Sequence, residues 1–435
     1  MRCADTENNG ETQVKIVILT IGTFGDVQPY VALGLGLQQD GFEVVFATHN
    51  CFAPFVYKHG LKFVPLAGDP QQWSSGSELQ MLTEAGRDFH EWMKTLRQLA
   101  DPLIESILQS CWQACQCADA IIYSPFAWAG YSIAEKLGIP SIGASLQPMT
   151  STSKFPAVWA PRGIRLGKIY NRATHLLVEQ TYWFFWKRYI NRWRTDFLSL
   201  NPLPPSGPYS QRRWKNQLHL YGFSPSLLAK PPDWPENTYI TGYWFLPEDP
   251  KWQPHKELVD FLSCGPPPVY IGFGSMPDSN LAQLGQIVAE GLKNTGLRAV
   301  VQGKWVEEYA GGLPDTMLRI DWVPHDWLFP RMAAVVHHGG ASTVANALRA
   351  GVPSVVVPFS WDQPFWGEIL FRSGTGCKPV PRRNLTSNNL GNAVNACLHG
   401  ESLRHNAERL GTRIRSENGV DEAVKTIQRY LKISV

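Results

Sequence analysis

The stretch Val14-Lys15-Ile16-Val17-Ile18-Leu19-Thr20 most constrains the fold of this 435-residue chain. It is a nearly continuous apolar, β-branched run, which describes a strand covered on both faces, and such strands belong to parallel sheets flanked by helices. The residues after it agree: a Gly-containing loop, residues 29–39 with helical spacing of apolar side chains, and another strand at 42–48. The order continues through 120–123, 133–137 and 141–144. The first half is therefore read as a doubly wound α/β unit.

From 224 to 268 the composition shifts to Pro, Trp and polar residues, including Lys230-Pro231-Pro232-Asp233-Trp234-Pro235 and Gly265-Pro266-Pro267-Pro268. Such segments interrupt regular elements, so a linker is expected. The pattern then restarts, with strands at 269–273, 298–302, 333–337 and 354–358 and helices at 281–295 and 343–350. These signals put one α/β unit in residues 1–235 and a second in 236–415, with 416–435 as a terminal helix expected to return to the first. A chain of this length with 44% apolar and 18% charged residues is too long for one ordinary core and too apolar for disorder. Open α/β sheets bind ligands beyond the carboxyl ends of their strands, so the cleft between the units is the expected site.

A net charge of +3 argues against a dedicated nucleic-acid binder. Charge is nevertheless concentrated: residues 162–215 hold eleven basic side chains and two acidic ones, Glu179 and Asp196, which implies a local positive surface. Seventeen Trp mark apolar ligands, interfaces or membrane contact as well as core. Cys111, Cys115 and Cys117 cluster without a second ligand pair, so no metal site is expected and a reducing cytoplasm is the simpler setting. The first apolar run is too short for a secretory signal, and no apolar stretch approaches 18 residues. A cytoplasmic chain, soluble or peripheral at a membrane surface, is expected.

Five loops carry the chemistry, each just after an expected strand. In Gly22-Thr23-Phe24-Gly25-Asp26-Val27-Gln28-Pro29, Asp26 stands at a helix entrance with Pro29 in the first turn, either as an N-cap or as a general base facing the cleft. In Gly272-Phe273-Gly274-Ser275-Met276-Pro277, Pro277 replaces the third Gly of a dinucleotide fingerprint, which weakens a nicotinamide or flavin reading. Backbone amides and Ser275 contacting phosphate, or a plain turn, remain. His337-His338-Gly339-Gly340-Ala341-Ser342-Thr343 closes a strand and opens a helix whose unpaired N–H groups outline an anion cradle. The paired histidines either donate to a diphosphate or are structural. There is no Asp-x-Asp, so a sugar nucleotide held here would rely on the helix end rather than a divalent metal. Asp321-Trp322-Val323-Pro324-His325 offers an indole to a nucleobase or to the core. In Pro358-Phe359-Ser360-Trp361-Asp362-Gln363-Pro364, Asp362 and Gln363 combine acceptors and a donor suited to sugar hydroxyls, with a simple turn as the alternative.

In this order the segments GTFGDVQPYVALGLGL, GFGSM, DWVPHDWLFP, HHGGASTVANALRAGVPSVVVPF and DQPFWG resemble the UDP-glycosyltransferases of the GT-B type, most closely the sterol 3-beta-glucosyltransferase branch. The resemblance implies two Rossmann-like domains facing each other across a cleft, acceptor in the first and nucleotide sugar in the second. It implies no tightly bound cofactor and a UDP-sugar, with UDP-glucose favoured, as donor substrate. Trp322 would stack on or border the uracil, and Val323 and His325 would belong to the same donor site. Ser275 and His338 with Gly339 and Gly340 would bind the diphosphate, Gly274, Ala341, Ser342 and Thr343 would belong to the same donor site, and Asp362 with Gln363 would hold sugar hydroxyls. Asp26 matches the family's base, which would take the acceptor proton in a single inverting displacement. Two positions depart from the family pattern: Phe24 stands where many relatives have Arg, and Ser342 where Gly is usual.

Residues 182–194, Tyr-Trp-Phe-Phe-Trp-Lys-Arg-Tyr-Ile-Asn-Arg-Trp-Arg, predict an amphipathic helix. Tyr182, Phe185, Trp186, Tyr189, Ile190, Trp193 and Phe197 fall on one face, with Lys187, Arg188, Asn191 and Arg194 elsewhere. The stripe either packs into the first domain or serves a greasy acceptor and an anionic membrane surface. Phe24, Trp73, Trp159, Trp183 and Trp186 are the candidate acceptor contacts. The expected function is transfer of a hexose to a sterol or other terpenoid alcohol. The rival within the class tailors a polyketide, carotenoid or peptide and takes a thymidine-linked sugar. An α/β hydrolase built on Gly130-Tyr131-Ser132-Ile133-Ala134, which lacks the last Gly of the motif, and a non-catalytic binding module are the rivals outside it.

Overall fold

In the computed structural model, residues 13–434 are described except 70–88, 162–165, 211, 248, 275, 277, 279, 294–295 and 310–311. The first sheet contains β1 (Lys15–Leu19), β2 (Glu43–His49), β3 (Lys62–Leu66), β4 (Ala120–Tyr123), β5 (Ser141–Ser145), β6 (Leu218–Tyr221) and β7 (Thr238–Ile240). All neighbours are parallel, in the order β3-β2-β1-β4-β5-β6-β7. The second sheet, also parallel, contains β8 (Val269–Gly272), β9 (Ala299–Gln302), β10 (Met317–Arg319), β11 (Ala334–His337) and β12 (Ser354–Val356), in the order β10-β9-β8-β11-β12. Each sheet reverses direction of growth once, between β1 and β4 and between β8 and β11. Crevices open beyond the strand ends at such switch points.

The helices that position the site are α1 (Phe24–Gln39), α2 (Phe89–Ala114), α3 (Ala129–Leu137), α4 (Gly167–Asp196), α5 (Lys256–Ser263), α6 (Ala341–Ala350), α7 (Gln363–Ser373) and α8 (Gly419–Ser434). The apolar run of β1 explains why helices cover both faces. Ile16 and Ile18 enter a core with Val27, Leu33 and Leu37 of α1, while Val17 and Leu19 enter another with Cys111 of α2, Trp128 and Trp193 of α4. Each such side chain contributes roughly 1.5–3 kcal/mol on burial. Val424, Ile427 and Leu431 of α8 join the α1 core, which ties the end of the chain to the first lobe.

The segment from 224 to 268 is more than a linker. It supplies the edge strand β7, so the first lobe runs beyond 235, and it also holds α5. At the back of the cleft the lobes share one apolar cluster: the Phe155 and Phe365 rings are 5.8 Å apart, and those of Phe223 and Trp366 5.7 Å. Among the described residues no helix is long and apolar enough to cross a membrane.

Candidate functional site

The cleft encloses about 1090 Å³ and is lined by the loops after β1, β4, β8, β11 and β12. On the first lobe, α1 begins earlier than residue 29: Thr23 is its N-cap and Asp26 its third residue, not the cap itself. Asp26 Oδ2 accepts from the Thr23 backbone N–H at 2.8 Å and from Thr23 Oγ1 at 3.0 Å. A carboxylate there also meets the positive end of the helix dipole. Burial raises its pKa from the ordinary value, and the Thr23 bonds oppose that rise. Gly22, at φ +149°, makes the arrangement possible, because a Cβ there would lie 2.5 Å from Asp26 Oδ2. Asp26 Oδ1 has no hydrogen-bond partner among the described residues, and Asp26 lines the cleft.

Opposite stands α6. Its N-cap is Gly340, which has no side chain to offer, and the first helical bond runs from Val344 N–H to Gly340 O. The N–H groups of Ala341, Ser342 and Thr343 precede that bond and line the cleft, as an anion cradle requires. The two helix ends approach closely: a Cβ on Gly25 would lie 3.8 Å from Ser342 Cβ.

His338 sits beside this cradle, its ring wedged against two glycines. A Cβ on Gly274 would come within 3.1 Å of His338 Cε1, and one on Gly340 within 2.5 Å of His338 Nε2. Its Nδ1 is buried without a partner among the described residues, and burial pulls the pKa down to about 4. A neutral ring with one free nitrogen is thus presented beside the helix end. The paired-histidine expectation needs correction, because His337 is fully buried and its Nδ1 accepts from Gly339 N–H at 3.1 Å. It shapes the turn and does not line the cleft.

Trp322 borders the cleft and is 57% exposed, leaving its ring free for stacking. Val323 is buried beneath it. His325 lies at the wall, stacked on Phe329 with ring centroids 4.3 Å apart. Asp362 Oδ2 accepts from Trp366 Nε1–H at 3.1 Å. Burial and then the charge of Asp26 push its pKa up to about 7, so the two carboxylates sense each other across the cleft. Gln363 is more committed than its sequence suggests. Its Oε1 accepts from Phe359 and Ser360 N–H at 2.8 and 3.2 Å, and its Nε2 lies 2.9 Å from Met276 Sδ. It folds the loop and leaves only an amide N–H edge for a ligand. Ser275 and Trp73 lie outside the described residues.

The remainder of the cleft is apolar. Phe24, Trp159 and Trp186 line it, joined by Ile104, Ile107 and Leu108 of α2, Phe126, Trp128 and Ile190. Trp183 does not: it is buried in the core against Trp128, and its Nε1 donates to Pro204 O at 3.2 Å. The stripe on α4 is also rotated from the expected one. Phe185 and Phe197 are exposed, whereas Arg194 is buried because Glu135 takes it at 2.9 and 3.1 Å and Ser132 Oγ at 3.0 Å. That bond also removes the hydrolase reading, since Ser132 is buried in α3.

Sequence reasoning misses Trp361. It adopts φ +58°, a conformation that costs a side-chain-bearing residue roughly 1–3 kcal/mol, and places its ring edge-on to Phe126 at 6.3 Å and Trp159 at 6.4 Å of the other lobe. An aromatic contact between the lobes thus lies at the cleft wall beside Asp362. The only signal for it is an additional Trp in the Pro358–Pro364 loop.

Comparison with known proteins agrees with this geometry. The solved structure of the kitacinnamycin glycotransferase matches with a TM-score of 0.70 over 96% of this chain and 99% of that one, at 19% identity. The likeness, with the two parallel sheets, shows the GT-B fold. Residues 16–156 match the glycosyltransferase family 28 N-terminal domain, and residues 300–429 the erythromycin biosynthesis protein CIII-like C-terminal domain. A sterol 3-beta-glucosyltransferase of Emericella nidulans is 36% identical over 437 residues, and one of Pichia angusta 34% over 434. Each alignment covers 96% of this chain but 30% and 34% of those relatives, so the chain spans about a third of their length. Along nearly its whole length the chain is thus similar to the corresponding third of these sterol 3-beta-glucosyltransferases.

Proposed function

We propose that the protein is an inverting glycosyltransferase that moves a hexose, glucose by preference, from a UDP-sugar to the hydroxyl of a sterol or related hydrophobic alcohol. The observation that carries this is the division of one cleft. An aromatic chamber on the first lobe adjoins the carboxylate of Asp26, and an uncapped helix end with a free indole faces it from the second. The relatives' names supply the sterol and the glucose.

On this proposal the N–H groups of Ala341, Ser342 and Thr343, with His338, hold the diphosphate, Trp322 stacks on the uracil and Asp362 accepts from the sugar hydroxyls. Asp26 takes the acceptor proton as the acceptor oxygen attacks the anomeric carbon. The carbon–oxygen bond to UDP breaks, its electron pair leaves with the diphosphate, and configuration inverts. The α6 N-terminus stabilises the charge that develops there. Thr23 keeps Asp26 aimed.

Contact with an anionic bilayer fits the outward face of α4, where Ile169, Leu176, Leu177 and Phe184 are 58–86% exposed beside Lys168, Arg172, Arg188 and Arg192. Sterol glucosylation is tested by incubating the purified protein with UDP-glucose and a panel of sterols, carotenoids and phenols, seeking a mass gain of one hexose. The tailoring alternative is favoured by the natural-product enzyme among the structural neighbours. It prevails if thymidine-linked donors outcompete UDP-glucose.

A further inference from the structure

Behind the acceptor chamber lies a second cavity of about 400 Å³, beneath α4 and beyond the ends of β4 to β6. It shares the walls Trp128 and Trp159 with the main cleft, and its lining includes the rings of Tyr182, Tyr209, Trp214 and Tyr221 together with His175 and His219. These rings are grouped: Trp128 lies 5.4 Å from Tyr182, 5.8 Å from Tyr209 and 5.6 Å from Trp214, centroid to centroid. Glu179, one turn before Tyr182 on α4, opens into the same space.

Its carboxyl group makes no hydrogen bond or ion pair among the described residues, and burial alone drives its pKa up to about 7. The charge is felt by Tyr209 and Tyr221, whose own ionisation it disfavours, so it sits among the rings. The other carboxylate bordering the cavity is already satisfied. Asp233 accepts from Thr152 Oγ1 at 2.6 Å and Ser153 N–H at 2.8 Å and pairs with Arg172. Lys215, at the rim, is exposed.

A buried carboxylate without a counter-charge is unfavourable, and aromatic faces attract cations. A molecule with a positive head and apolar bulk answers both features, whereas a neutral alcohol answers only the apolar one. We propose that this cavity binds an organic ammonium ion, its charged head paired with Glu179 among the rings of Trp128, Tyr182, Tyr209, Trp214 and Tyr221. Nothing in the transfer reaction uses Glu179, so the proposal stands apart from the sugar chemistry.

Calorimetric titration of the full chain with choline and with its uncharged isostere, 3,3-dimethylbutan-1-ol, tests it. Choline should bind at least tenfold more tightly than the alcohol, and Glu179→Gln should bring it down to the alcohol's level. Trp214→Leu should weaken choline without abolishing it. UDP titrated into each variant reports that the lobes are folded; failure of the wild type to bind UDP would count against the donor proposal alone. Equal affinity for choline and the alcohol would make the cavity an apolar annex of the acceptor chamber and overturn the proposal. So would unchanged choline binding in Glu179→Gln, or no choline binding by a wild-type protein that still binds UDP.

Discussion

The two helix N-termini that meet across the cleft are built alike and finished differently. α1 carries its own anion, Asp26, held on Thr23 at its first turn. α6 starts on Gly340 and leaves its first N–H groups without a side-chain acceptor among the described residues. An N-terminus already satisfied by a carboxylate repels a second anion, while an open one attracts it. The difference supports the proposed placement of the diphosphate on the second lobe and of the base at the first helix end. It also explains why the lobes approach so closely there: one end supplies the negative charge that the other lacks.

The largest expected effect comes from emptying the first helix end. Asp26→Asn should lower hexose transfer by roughly 10²–10⁴-fold while UDP still binds, measured by product mass against time and by calorimetry. Unchanged turnover on an unactivated alcohol would end the base assignment. Next comes the pH profile. Asp26 must be ionised to take the acceptor proton and Asp362 to accept hydrogen bonds at both oxygens, and both pKa values are raised, so kcat/KM should fall by roughly tenfold per unit as pH drops below about 7, where Asp362 titrates. In Asp362→Asn the residual activity should keep an acid limb, moved to lower pH, because Asp26 then loses a like charge. The same shift bears on stability. A carboxyl whose folded pKa is raised stabilises the fold while protonated, and that contribution is lost as pH rises from the unfolded value through about 7. Asp362→Asn should therefore unfold at higher temperature than wild type at pH 8.

Making the second end resemble the first is the sharper test. Ser342→Asp gives α6 its own anion and should weaken UDP binding about tenfold, roughly 1.4 kcal/mol, in a titration at constant salt. The smallest effect belongs to the cap. Thr23→Val removes the Oγ1 bond to Asp26 and should cost about 1 kcal/mol of stability in thermal unfolding.

Legibility followed locality. Asp26 and the Gly339-Gly340 turn were readable because glycines and capping residues report the backbone within a few positions. Which histidine faces the cleft was not readable, since adjacent residues are chemically equal until His337 turns inward onto Gly339 N–H. The residue type of Gln363 suits sugar hydroxyls but does not show that Phe359 and Ser360 N–H, four and three positions before it, bond its oxygen. Arg194 looked solvated because its partner, Glu135, lies 59 residues away. Pro-rich composition hid β7, whose place at the sheet edge tolerates such neighbours.

The amino-acid order alone determined two parallel α/β lobes, the loops that follow their strands and the residue types at the reacting centre, because periodicity and turn chemistry act over a few residues. Tertiary structure decided which face of α4 is buried, which of two histidines is presented, how Trp361 touches the other lobe and where Glu179 is left without a partner among the described residues. Those outcomes depend on side chains tens to hundreds of positions apart competing for the same space and the same hydrogen bonds, and only packing resolves that competition.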